Sequence, residues 1–430
     1  MNGIVGRSGG KPSSLDVIVV GGGPAGSVVA RQLALAGWRV LVLERERFPR
    51  DKVCGEYLCP EAVAALANLG LLGALEGIPQ RRVTRVRITS PAGHVVDGHF
   101  ARRDGSVPYG ISLARAELDH ALLREAAAAG ALVYEGARAT DVQCGEDAAE
   151  VHFTPTDGSS QVARSALVIG ADGRFSVVAR RLGVAPPQRV RGRAVVHGQC
   201  RGVSVPPERV EMFLLPGRRY IGVNYLPNGI VNLSLVADLE EVCDAGSQRA
   251  EQLLVEALRS APAMCQRFGS ASFVGRPRVL APLRVRRLAA HGERVLLVGD
   301  AAGFLDPLTG EGVHMALVTA VLAAETAEEA LRTGRFGVGE LSAYTRQRRR
   351  RLRAKLALDA FFQWLLGHPR LQDWLGKRFG SSREARDVLV SVVGNTLAPI
   401  ALLRPRLLGH LLTPRALGLG PPSRANVSTN

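Results

Sequence analysis

The feature that most constrains the fold is a glycine-rich turn between a short apolar strand and a small-residue helix. Residues 15–20 read LDVIVV, residues 21–26 read GGGPAG, and the spacing predicts a helix over 25–36. A second apolar strand, RVLVLE at 39–44, completes a compact β-α-β unit. This order of elements is typical of a parallel sheet that binds a dinucleotide at the carboxyl ends of its strands.

The glycines and the acid of this unit have distinct roles. Gly21 allows the tight turn, Gly23 lets a pyrophosphate approach the backbone, and Gly26 lets the helix pack on the strand. The helix N terminus supplies free N–H groups for the diphosphate. Glu44 ends the second strand, where an acid can bond adenosine ribose hydroxyls and disfavours a 2′-phosphate. Because strand, helix and acid occur together, an ordinary glycine turn is the weaker interpretation.

Length and cysteine usage place further limits on the chain. A chain of 430 residues is long enough for two or three structural units. Its six cysteines are scattered without a disulfide framework, which favours a reducing compartment.

Residues 1–14 are polar and are expected to form a disordered leader instead of a signal peptide. No run of 18 apolar residues predicts a membrane span, so the expected location is cytoplasmic.

The net charge of +16 does not by itself indicate nucleic-acid binding. Only four of the 55 basic residues are lysine, a bias that coding composition alone can produce. No nucleic-acid-binding motif accompanies the charge, so no nucleic-acid partner is expected.

The pattern of strands and helices divides the chain into parts. The β-α-β unit at 15–44 and the apolar strands at 166–170 and 294–299 indicate one α/β, Rossmann-like domain. This domain has three layers and is discontinuous in sequence. Alternating strands between Gly and Pro turns indicate an inserted antiparallel β-sheet domain. The predicted boundaries are 15–80, 110–185 and 281–335 for the nucleotide-binding domain, 81–109 and 186–280 for the inserted sheet, 336–412 for a basic helical C-terminal region, and 413–430 for a flexible tail.

Two later motifs place polar groups at strand ends of the same domain. Asp300, in the stretch GDAAG, ends a buried strand, where its carboxylate can accept hydrogen bonds from a polyol. Gly310 and Gly312 begin the next helix and can lie close to a flat ring, with N–H groups facing its carbonyls. Asp172, in GADG, fits a cofactor contact and a simple helix start equally well.

Together these blocks, over about residues 15–335, resemble the FAD-dependent oxidoreductases of the p-hydroxybenzoate hydroxylase-like fold. The resemblance implies FAD as the cofactor and a substrate pocket based on the inserted sheet. It also implies that Arg115, in SLARAELDHALL, contacts the flavin and that Asp300 holds the ribityl chain. The implied FAD-binding residues are Gly21, Gly23, Pro24, Ala25, Gly26, Glu44, Arg45, Arg115, Asp172, Asp300, Gly310, Gly312 and Val313.

Within that fold, the chain is most similar to the geranylgeranyl reductase branch. The stretch GFLDPLTGEGV at 303–313 has glycine where aromatic hydroxylases usually carry histidine, and KVCGE at 52–56 resembles the branch's Cys-Gly motif. In the resemblance, Cys54 lies near the flavin. The chain departs from the branch at 222–227, which reads GVNYLP where a Tyr-x-Trp-x-x-Pro pattern is common. The same stretch lacks the paired tryptophans of flavin-dependent halogenases.

Cys54 and Cys59 allow three interpretations. Their Cys-x4-Cys spacing is that of glutathione reductase-like enzymes, and nearby Lys52 could favour thiol exchange. Those enzymes need a second dinucleotide fold, and no second strand-GxGxxG-helix occurs in this chain. We therefore rank first the interpretation in which Cys54 is a functional thiol and Cys59 is structural. The interpretation in which both cysteines are packing residues is comparable with it, and a redox disulfide ranks third.

The C-terminal region combines arginines with aromatic residues. Seven of the ten residues 346–355 are basic, and the apolar stretch 356–366 follows with Phe361, Phe362 and Trp364. Such a segment could lie on an anionic membrane at its inner face and receive a lipophilic substrate. A helical cap with solvated arginines is the favoured alternative, because charge runs are usually solvated faces.

The functional expectation is a FAD-dependent oxidoreductase that acts on an apolar, isoprenoid or secondary-metabolite-like substrate by reducing C=C bonds. The alternatives are a flavin monooxygenase and, less favoured, an electron carrier, a halogenase or a disulfide reductase. Cys54, Tyr225 or a bound water would supply the proton. NAD(P)H or a ferredoxin-like carrier would supply electrons, and no metal site is predicted.

Overall fold

A computed structural model describes residues 15–102, 108–184, 192–206, 208–245, 249–285, 287–304, 308 and 310–412. The predicted leader at 1–14 and the predicted tail at 413–430 lie outside the described residues. The strands are β1 Leu15–Val20, β2 Val40–Glu44, β3 Tyr57–Leu58, β4 Arg81–Val83, β5 Arg85–Thr89, β6 Val95–His99, β7 Gly110–Ser112, β8 Leu132–Glu135, β9 Arg138–Cys144, β10 Ala149–Thr154, β11 Gln161–Gly170, β12 Arg193–Arg201, β13 Arg209–Leu215, β14 Arg219–Tyr225, β15 Val231–Asp238, β16 Ser272–Phe273, β17 Arg278–Leu280, β18 His291–Gly292 and β19 Val295–Leu297. The α-helices are α1 Pro24–Leu35, α2 Pro60–Asn68, α3 Arg115–Ala128, α4 Val177–Arg181, α5 Leu239–Ala245, α6 Ala250–Arg259, α7 Pro262–Phe268, α8 Gly312–Thr333, α9 Val338–Leu365, α10 Pro369–Gly380, α11 Arg383–Val393 and α12 Pro405–Leu412.

The first sheet is the one that the glycine turn predicted. Its strand order is β18-β19-β11-β1-β2-β8, and the strands from β19 to β8 are all parallel. Residues 17–20 of β1 are fully buried or nearly so, as expected for a strand in the interior of a parallel sheet. Helices α1, α3 and α8 pack against one another and cover this sheet's core.

The register of the parallel strands explains why distant motifs meet. Val20 pairs with Gly170, and Gly170 pairs with Leu297, so β1, β11 and β19 end at the same edge. The residues that follow these strands carry the glycine turn, the Asp172 turn and the Asp300 turn. Ligands of open α/β sheets bind at this carboxyl edge.

The second sheet has the order β16-β12-β15-β14-β13-β5-β6, with β17 also paired to β12. It differs from the predicted antiparallel sheet in one pair, because β5 and β13 run parallel. Residues 81–89 form two strands, β4 and β5. The first, β4, leaves this sheet to pair with β7 in a three-stranded sheet that also contains β3.

Helices α5, α6 and α7 lie in a segment where only strands were predicted. The apolar face of α6 packs into the core beneath the second sheet through Ala250, Leu254, Ala257 and Leu258. Burial of this face stabilises the helices against the sheet.

The C-terminal region is helical, as predicted, and it packs on the far end of the second sheet. Phe379, Val388 and Leu407 form an apolar cluster with Val96 of β6. A short 3-10 helix, Pro399–Leu403, joins α11 to α12. None of the described helices is long and apolar enough to cross a bilayer.

Candidate active site

The glycine turn after β1 leaves no room for side chains at two positions. A Cβ on Gly26 would lie 1.9 Å from the Gly21 carbonyl oxygen, and one on Gly21 would lie 2.5 Å from the oxygen of Ala171. Gly21 also has a φ of 104°, which favours glycine. At Gly23, by contrast, the nearest side-chain atom to a Cβ would be Arg50 Nη2 at 3.7 Å. The helix N terminus therefore faces open space where a diphosphate fits.

Glu44 is buried at the end of β2 and braces the same turn. Its Oε2 atom accepts a hydrogen bond from the Gly22 N–H at 2.6 Å, and its Oε1 atom accepts one from the Glu46 N–H at 2.9 Å. Arg45 is exposed, and its Nε lies 3.3 Å from Glu46 Oε1. The acid at the strand end is thus held beside the glycine turn.

A large cavity lies between the carboxyl edge of the first sheet and the face of the second sheet. This central cavity encloses about 1650 Å³ of space between protein atoms, including solvent at its mouth. The predicted site residues that line it are Gly23, Pro24, Ala25, Cys54, Arg115, Asp300, Gly310, Gly312 and Val313. Those outside its lining are Gly21, Gly26, Glu44, Arg45, Asp172 and Tyr225.

Asp172 and Asp300 take different positions around the cavity. The Oδ2 atom of Asp172 accepts a hydrogen bond from the Val177 N–H at 2.7 Å, so this carboxylate caps α4. Its neighbours Ala171 and Gly173 line the cavity in its place. Asp300 points to the cavity, with Arg174 Nε 4.0 Å from its Oδ2 atom.

Cys54 contacts the buried arginine that the resemblance singled out. Nη1 of Arg115 donates a hydrogen bond to Cys54 Sγ at 3.3 Å. The same guanidinium binds both carboxylate oxygens of fully buried Asp119 at 2.8 Å, and Arg50 Nη2 lies 3.2 Å from Asp119. Burial opposes the charge of Arg115, but Asp119 and Cys54 outweigh it and raise the pKa of Arg115 above its ordinary value.

Glu56 is a site residue that sequence reasoning missed. It is buried two positions after Cys54, and its carboxylate accepts hydrogen bonds from the Arg115 N–H at 3.4 Å, from Gln199 Nε2 at 3.2 Å and from Asn232 Nδ2 at 3.3 Å. Burial raises the pKa of Glu56 to about 6, against the opposing effect of these bonds and of the Arg115 charge. Glu56 therefore has a raised pKa and lies between two residues that line the cavity, Gly55 and Tyr57.

Two asparagines of the second sheet fix the backbone of the Cys-Gly-Glu segment. Asn232 Nδ2 donates to the Cys54 carbonyl at 2.9 Å, and Asn224 Nδ2 donates to the carbonyls of Gly55 at 2.9 Å and Glu56 at 2.8 Å. These bonds connect the thiol-bearing loop directly to the sheet that forms the other wall.

Lys52 also lines the central cavity and was considered only as a neighbour of the thiols. Burial lowers its pKa, and the charge of Arg115 lowers it further, while Asp300 and Asp119 act in the opposite direction. The sequence holds only a weak signal for this position, a lysine in an arginine-dominated chain.

Tyr225 lies away from the central cavity. Its hydroxyl donates to Glu211 Oε1 at 3.2 Å and contacts the guanidinium of Arg267, within the core on the helix side of the second sheet. Tyr220, Gly222, Val223 and Asn224 of β14 line the cavity, and Tyr225 does not. The Tyr225 side chain packs with those of Ile221 and Val223, which have the same parity on the strand, in the core beneath the sheet.

Cys59 is separated from Cys54 by its position at the start of α2. It is the residue before Pro60 at the helix N terminus, it is fully buried, and burial raises the pKa of its thiol. Both cysteines are free thiols in this structure. The arrangement fits the interpretation of Cys59 as a packing residue.

The loop before α8 is held by the C-terminal region. Glu311, between the two cavity-lining glycines, is buried and forms an ion pair with Lys355 of α9. Its Oε1 atom accepts a hydrogen bond from Asn395 Nδ2 at 2.6 Å. The C-terminal helices therefore help to position the glycines that line the cavity.

One part of the central cavity's wall is apolar. It is contributed by the second sheet and by the segments around 280–283 and 304–308, through Val195, Val210, Met212, Val236, Leu280, Leu283, Phe304 and Leu308. Such a wall accommodates a hydrocarbon ligand best.

The comparison with known families decides the cofactor. Residues 14–359 match the family described as FAD binding domain. The chain belongs to this family of FAD-dependent oxidoreductases. FAD is its cofactor, and the open glycine turn, braced Glu44 and glycine-lined cavity fit that group. Cofactor contacts of individual residues remain predictions.

Two curated relatives of this FAD-binding family are reductases. The chain is 35% identical over 326 residues to menaquinone reductase of Mycobacterium tuberculosis, covering 73% of this chain and 76% of the relative. It is 30% identical over 359 residues to digeranylgeranylglycerophospholipid reductase 2 of Methanothermobacter thermautotrophicus, covering 82% and 87%. The predicted similarity to the geranylgeranyl reductase branch is confirmed.

Solved structures of the family share the architecture. A geranylgeranyl bacteriochlorophyll reductase-like protein of Thermoplasma acidophilum aligns with a TM-score of 0.75 over 94% of this chain and 98% of that chain, at 22% identity. The flavin-dependent halogenase CmlS aligns with a TM-score of 0.71 over 88% and 68%, at 25% identity. The predicted Rossmann-like fold class is confirmed, and the first likeness shows the fold alone.

Proposed function

We propose that this enzyme reduces carbon–carbon double bonds of an apolar, isoprenoid-type substrate. The observation that carries the proposal is the apolar part of the central cavity's lining, which encloses the same space as the Cys54 thiol and the glycines of the site. Lys52, Arg115 and Asp300 supply polar groups to this cavity, but its aliphatic side chains offer no partner to a polar substrate, which would lose hydration against them. An alkene within a hydrocarbon chain would not.

The relatives support the same substrate class. Menaquinone and digeranylgeranylglycerophospholipid, named as the substrates of two relatives, both carry isoprenoid chains. Identities of 35% and 30% do not define a substrate, so the transfer of this class to the present enzyme is part of the proposal.

When bound and reduced by the electron donor, FAD would supply a hydride to one carbon of the double bond. The other carbon needs a proton, and Cys54 Sγ is the group that we assign to hold it. As the proton leaves, negative charge develops on sulfur, and the Arg115 guanidinium 3.3 Å away stabilises that charge. Hydride and proton together convert the alkene to the saturated product, so the reaction is balanced.

We assign to Glu56 the return of the proton to Cys54 after each turnover. Asn232 Nδ2 binds both the Cys54 carbonyl and the Glu56 carboxylate, which keeps the two residues in one rigid segment. A pKa of about 6 makes the carboxyl group able to take a proton from water and release it near neutral pH. Tyr225 is not assigned this task, because its hydroxyl lies on the other face of the sheet.

The apolar wall has a second role, because it excludes water from the reacting carbons. Val195, Met212 and Leu283 come from three different segments, so closure depends on the whole second sheet and its connections. NAD(P)H or a ferredoxin-like carrier is the proposed electron donor.

The proposal is tested by single-turnover reaction of the holoenzyme. The bound FAD is photoreduced without oxygen, mixed with polyprenyl alcohols and menaquinone, and the products are analysed by mass spectrometry. A mass gain of two hydrogens in the absence of oxygen is the expected result. Reoxidation of the flavin with no change in any of these alkenes would reject it.

The likeness to a halogenase makes a parallel reaction necessary. The same reduced enzyme is mixed with oxygen, with and without chloride or bromide. A product that gains an oxygen atom would favour the monooxygenase alternative, and one that gains a halogen would favour a halogenase.

A further inference from the structure

The face of the second sheet toward the central cavity changes from polar to apolar along its strands. Strands β12, β15 and β14 pair so that their residues form rows across this face. In order, these are the amide row Gln199–Asn232–Asn224, the serine row His197–Ser234–Gly222 and the valine row Val195–Val236–Tyr220. Neighbours within a row lie about 5 Å apart, and successive rows about 7 Å apart. One ligand can therefore meet a polar and an apolar part of the same face.

The amide row contains a buried hydrogen-bond acceptor without a partner. Asn232 Nδ2 donates to the Cys54 carbonyl at 2.9 Å and to Glu56 Oε2 at 3.3 Å. Because a carbonyl only accepts, the first bond fixes which end of the Asn232 amide is nitrogen. The Oδ1 atom has no partner among the described residues, although Asn232 is only 1% exposed and lines the central cavity. A buried acceptor left unpaired is costly, so Oδ1 is a site for a ligand that donates a hydrogen bond.

Asn224, in the same row, differs from Asn232 in this respect. Its Nδ2 atom also holds the thiol-bearing segment, through the carbonyls of Gly55 and Glu56. Its Oδ1 atom, however, accepts a hydrogen bond from Ser112 Oγ. Both asparagines therefore fix the same segment, but the acceptor of Asn224 is already used by the protein.

The serine row places a hydroxyl group beside open space. Ser234 lines the central cavity, and its Oγ atom lies 3.3 Å from His197 Nδ1. Burial and, to a smaller extent, the charge of Arg278 lower the pKa of His197 to about 4, so its imidazole is neutral at neutral pH. On the other side of Ser234, a Cβ at Gly222 would meet nothing within 4 Å. A small polar group fits next to the Ser234 hydroxyl.

The valine row continues this face with hydrocarbon. Val195, Val236 and Tyr220 line the central cavity and pack in one cluster with Leu283 and Leu308. A carbon chain attached to a polar group at the serine row would lie against this cluster.

We propose that Asn232 and Ser234 bind a hydroxyl group of the isoprenoid substrate. Asn232 Oδ1 accepts the hydroxyl hydrogen, Ser234 Oγ donates to the hydroxyl oxygen, and His197 Nδ1 donates to Ser234. The substrate class becomes a prenyl alcohol or a prenylated hydroquinone. Because the same amide binds the Cys54 backbone, only a double bond a few atoms from the hydroxyl can reach the thiol. The inference rests on the proposed function for the reaction, but the hydroxyl site is tested without turnover.

The first test compares ligands that differ at the hydroxyl hydrogen. Geraniol and geranyl methyl ether are titrated into the oxidised holoenzyme, and binding is followed by the FAD absorbance. The alcohol should bind about tenfold or more tightly than the ether, because the ether cannot donate to Asn232 Oδ1. Equal dissociation constants would overturn the proposal.

Two asparagine variants separate the acceptor from the support of the loop. Asn232→Leu should reduce the preference for the alcohol to about twofold or less. Asn224→Leu is the matched control, because it removes equivalent bonds to the thiol-bearing segment but no unused acceptor, and it should keep the preference. FAD content per protein verifies that each variant is folded. An equal loss of preference in both variants would show that the loop position is the cause and would overturn the proposal.

Ser234→Ala removes a single oxygen atom and tests the donor. Both the alcohol and the ether have an oxygen that accepts from Ser234, so this variant should weaken both by about threefold to tenfold. The hydrocarbon 2,6-dimethyl-2,6-octadiene has no such oxygen, and its binding should not change. Unchanged affinity for both oxygen-containing ligands, or an equal loss for the hydrocarbon, would overturn the site.

A second pair of ligands distinguishes the two sources of the hydroxyl group. 2-Geranylphenol and its methyl ether represent the prenylated hydroquinones without their redox chemistry. A hydroxyl preference that disappears in Asn232→Leu supports the proposal in either pair, and the pair with the larger preference identifies the source. A preference in neither pair would overturn the proposal.

These binding tests fail separately from the proposed function. If the hydroxyl preference is found and depends on Asn232 but no alkene is reduced, the hydroxyl site stands and the reductase proposal fails. If alkenes are reduced while alcohols and ethers bind alike, the reductase proposal stands and the hydroxyl site fails.

Discussion

Nη1 of Arg115 donates a hydrogen bond to Cys54 Sγ at 3.3 Å while the same guanidinium is held by Asp119 on both of its carboxylate oxygens. Asp119 therefore holds the Arg115 guanidinium in one orientation beside the thiol and also stabilises its positive charge. This arrangement distinguishes Cys54 from Cys59, which lies in an apolar core. Our predictions begin from that difference.

Cys54→Ala should lower the rate of alkene reduction by roughly 10²- to 10⁴-fold, the usual contribution of a positioned proton donor. FAD content should stay at the wild-type level, because the thiol is only one of many cavity contacts. Cys59→Ala is the matched control and should retain the rate, with a small loss of stability from the buried atom removed. Single-turnover rates at equal FAD content provide the measurement. Equal rates for wild type and Cys54→Ala would assign the proton to another donor.

Arg115→Met should destabilise the holoprotein by about 3–5 kcal/mol, because it leaves buried Asp119 with Arg50 as its remaining cation. Arg164→Met breaks a pair with Glu150 in which the arginine side chain is 75% exposed, and should cost under about 1 kcal/mol. Urea unfolding of the holoproteins compares the two. The double variant Arg115→Met with Asp119→Leu should recover part of the loss, and a double variant as unstable as the single one would show that the ion pair is not the cause.

The pH dependence of stability should reveal Glu56. Its folded-state pKa of about 6 exceeds the ordinary 4.5, so the folded protein binds this proton more tightly than the unfolded chain. The resulting stabilisation is complete below pH 4.5 and is lost as pH rises through 6, a difference of about 2 kcal/mol.

Glu56→Gln should remove this part of the pH dependence and gain stability relative to wild type between pH 4.5 and 7. The exposed Glu325→Gln should follow the wild-type curve. Unfolding free energies at several pH values give the comparison. Parallel curves for wild type and Glu56→Gln would place the titration elsewhere.

Gly26→Ala should abolish FAD binding or folding, because its Cβ would lie 1.9 Å from the Gly21 carbonyl oxygen. Gly339→Ala is the control, since a Cβ there meets nothing within 4 Å and the residue lies in the first turn of α9. Alanine at that position should be neutral or stabilise the helix by up to about 1 kcal/mol. FAD absorbance per protein and thermal unfolding test both variants, and a Gly26→Ala protein with full FAD content would refute the close-packing argument.

Local patterns predicted much of the first sheet and its turn. The strand at 15–20 lies where its apolar run predicted it, and α1 and β2 begin and end within one residue of the predicted 25–36 and 39–44, because burial on a regular sheet produces a periodic apolar pattern in the sequence. Helix α6 also has a periodic apolar pattern, with Ala250, Leu254 and Leu258 at helical spacing. The strand patterns on either side of it led us to predict only strands in this segment.

The cluster around Glu56 had no comparable signal. Its partners Arg115, Gln199 and Asn232 come from α3, β12 and β15, and no local spacing relates them. The raised pKa arises only once the tertiary structure has removed water from the carboxylate. Strand parity likewise decided the position of Tyr225, which a motif comparison alone does not resolve.

The parallel pairing of β5 with β13 has a consequence for how the chain can fold during synthesis. Arg85 pairs with Arg209, so β5 must wait for more than a hundred later residues before its neighbour exists. The first sheet waits longer still, because Val20 of β1 pairs with Gly170 of β11, and β19 is added beside β11 only when the chain has reached Leu297. Both structural units therefore have high contact order and become complete late in translation. Fragments cut at residue 185 or 280 would expose unpaired strand edges, and neither would be a self-sufficient folding unit.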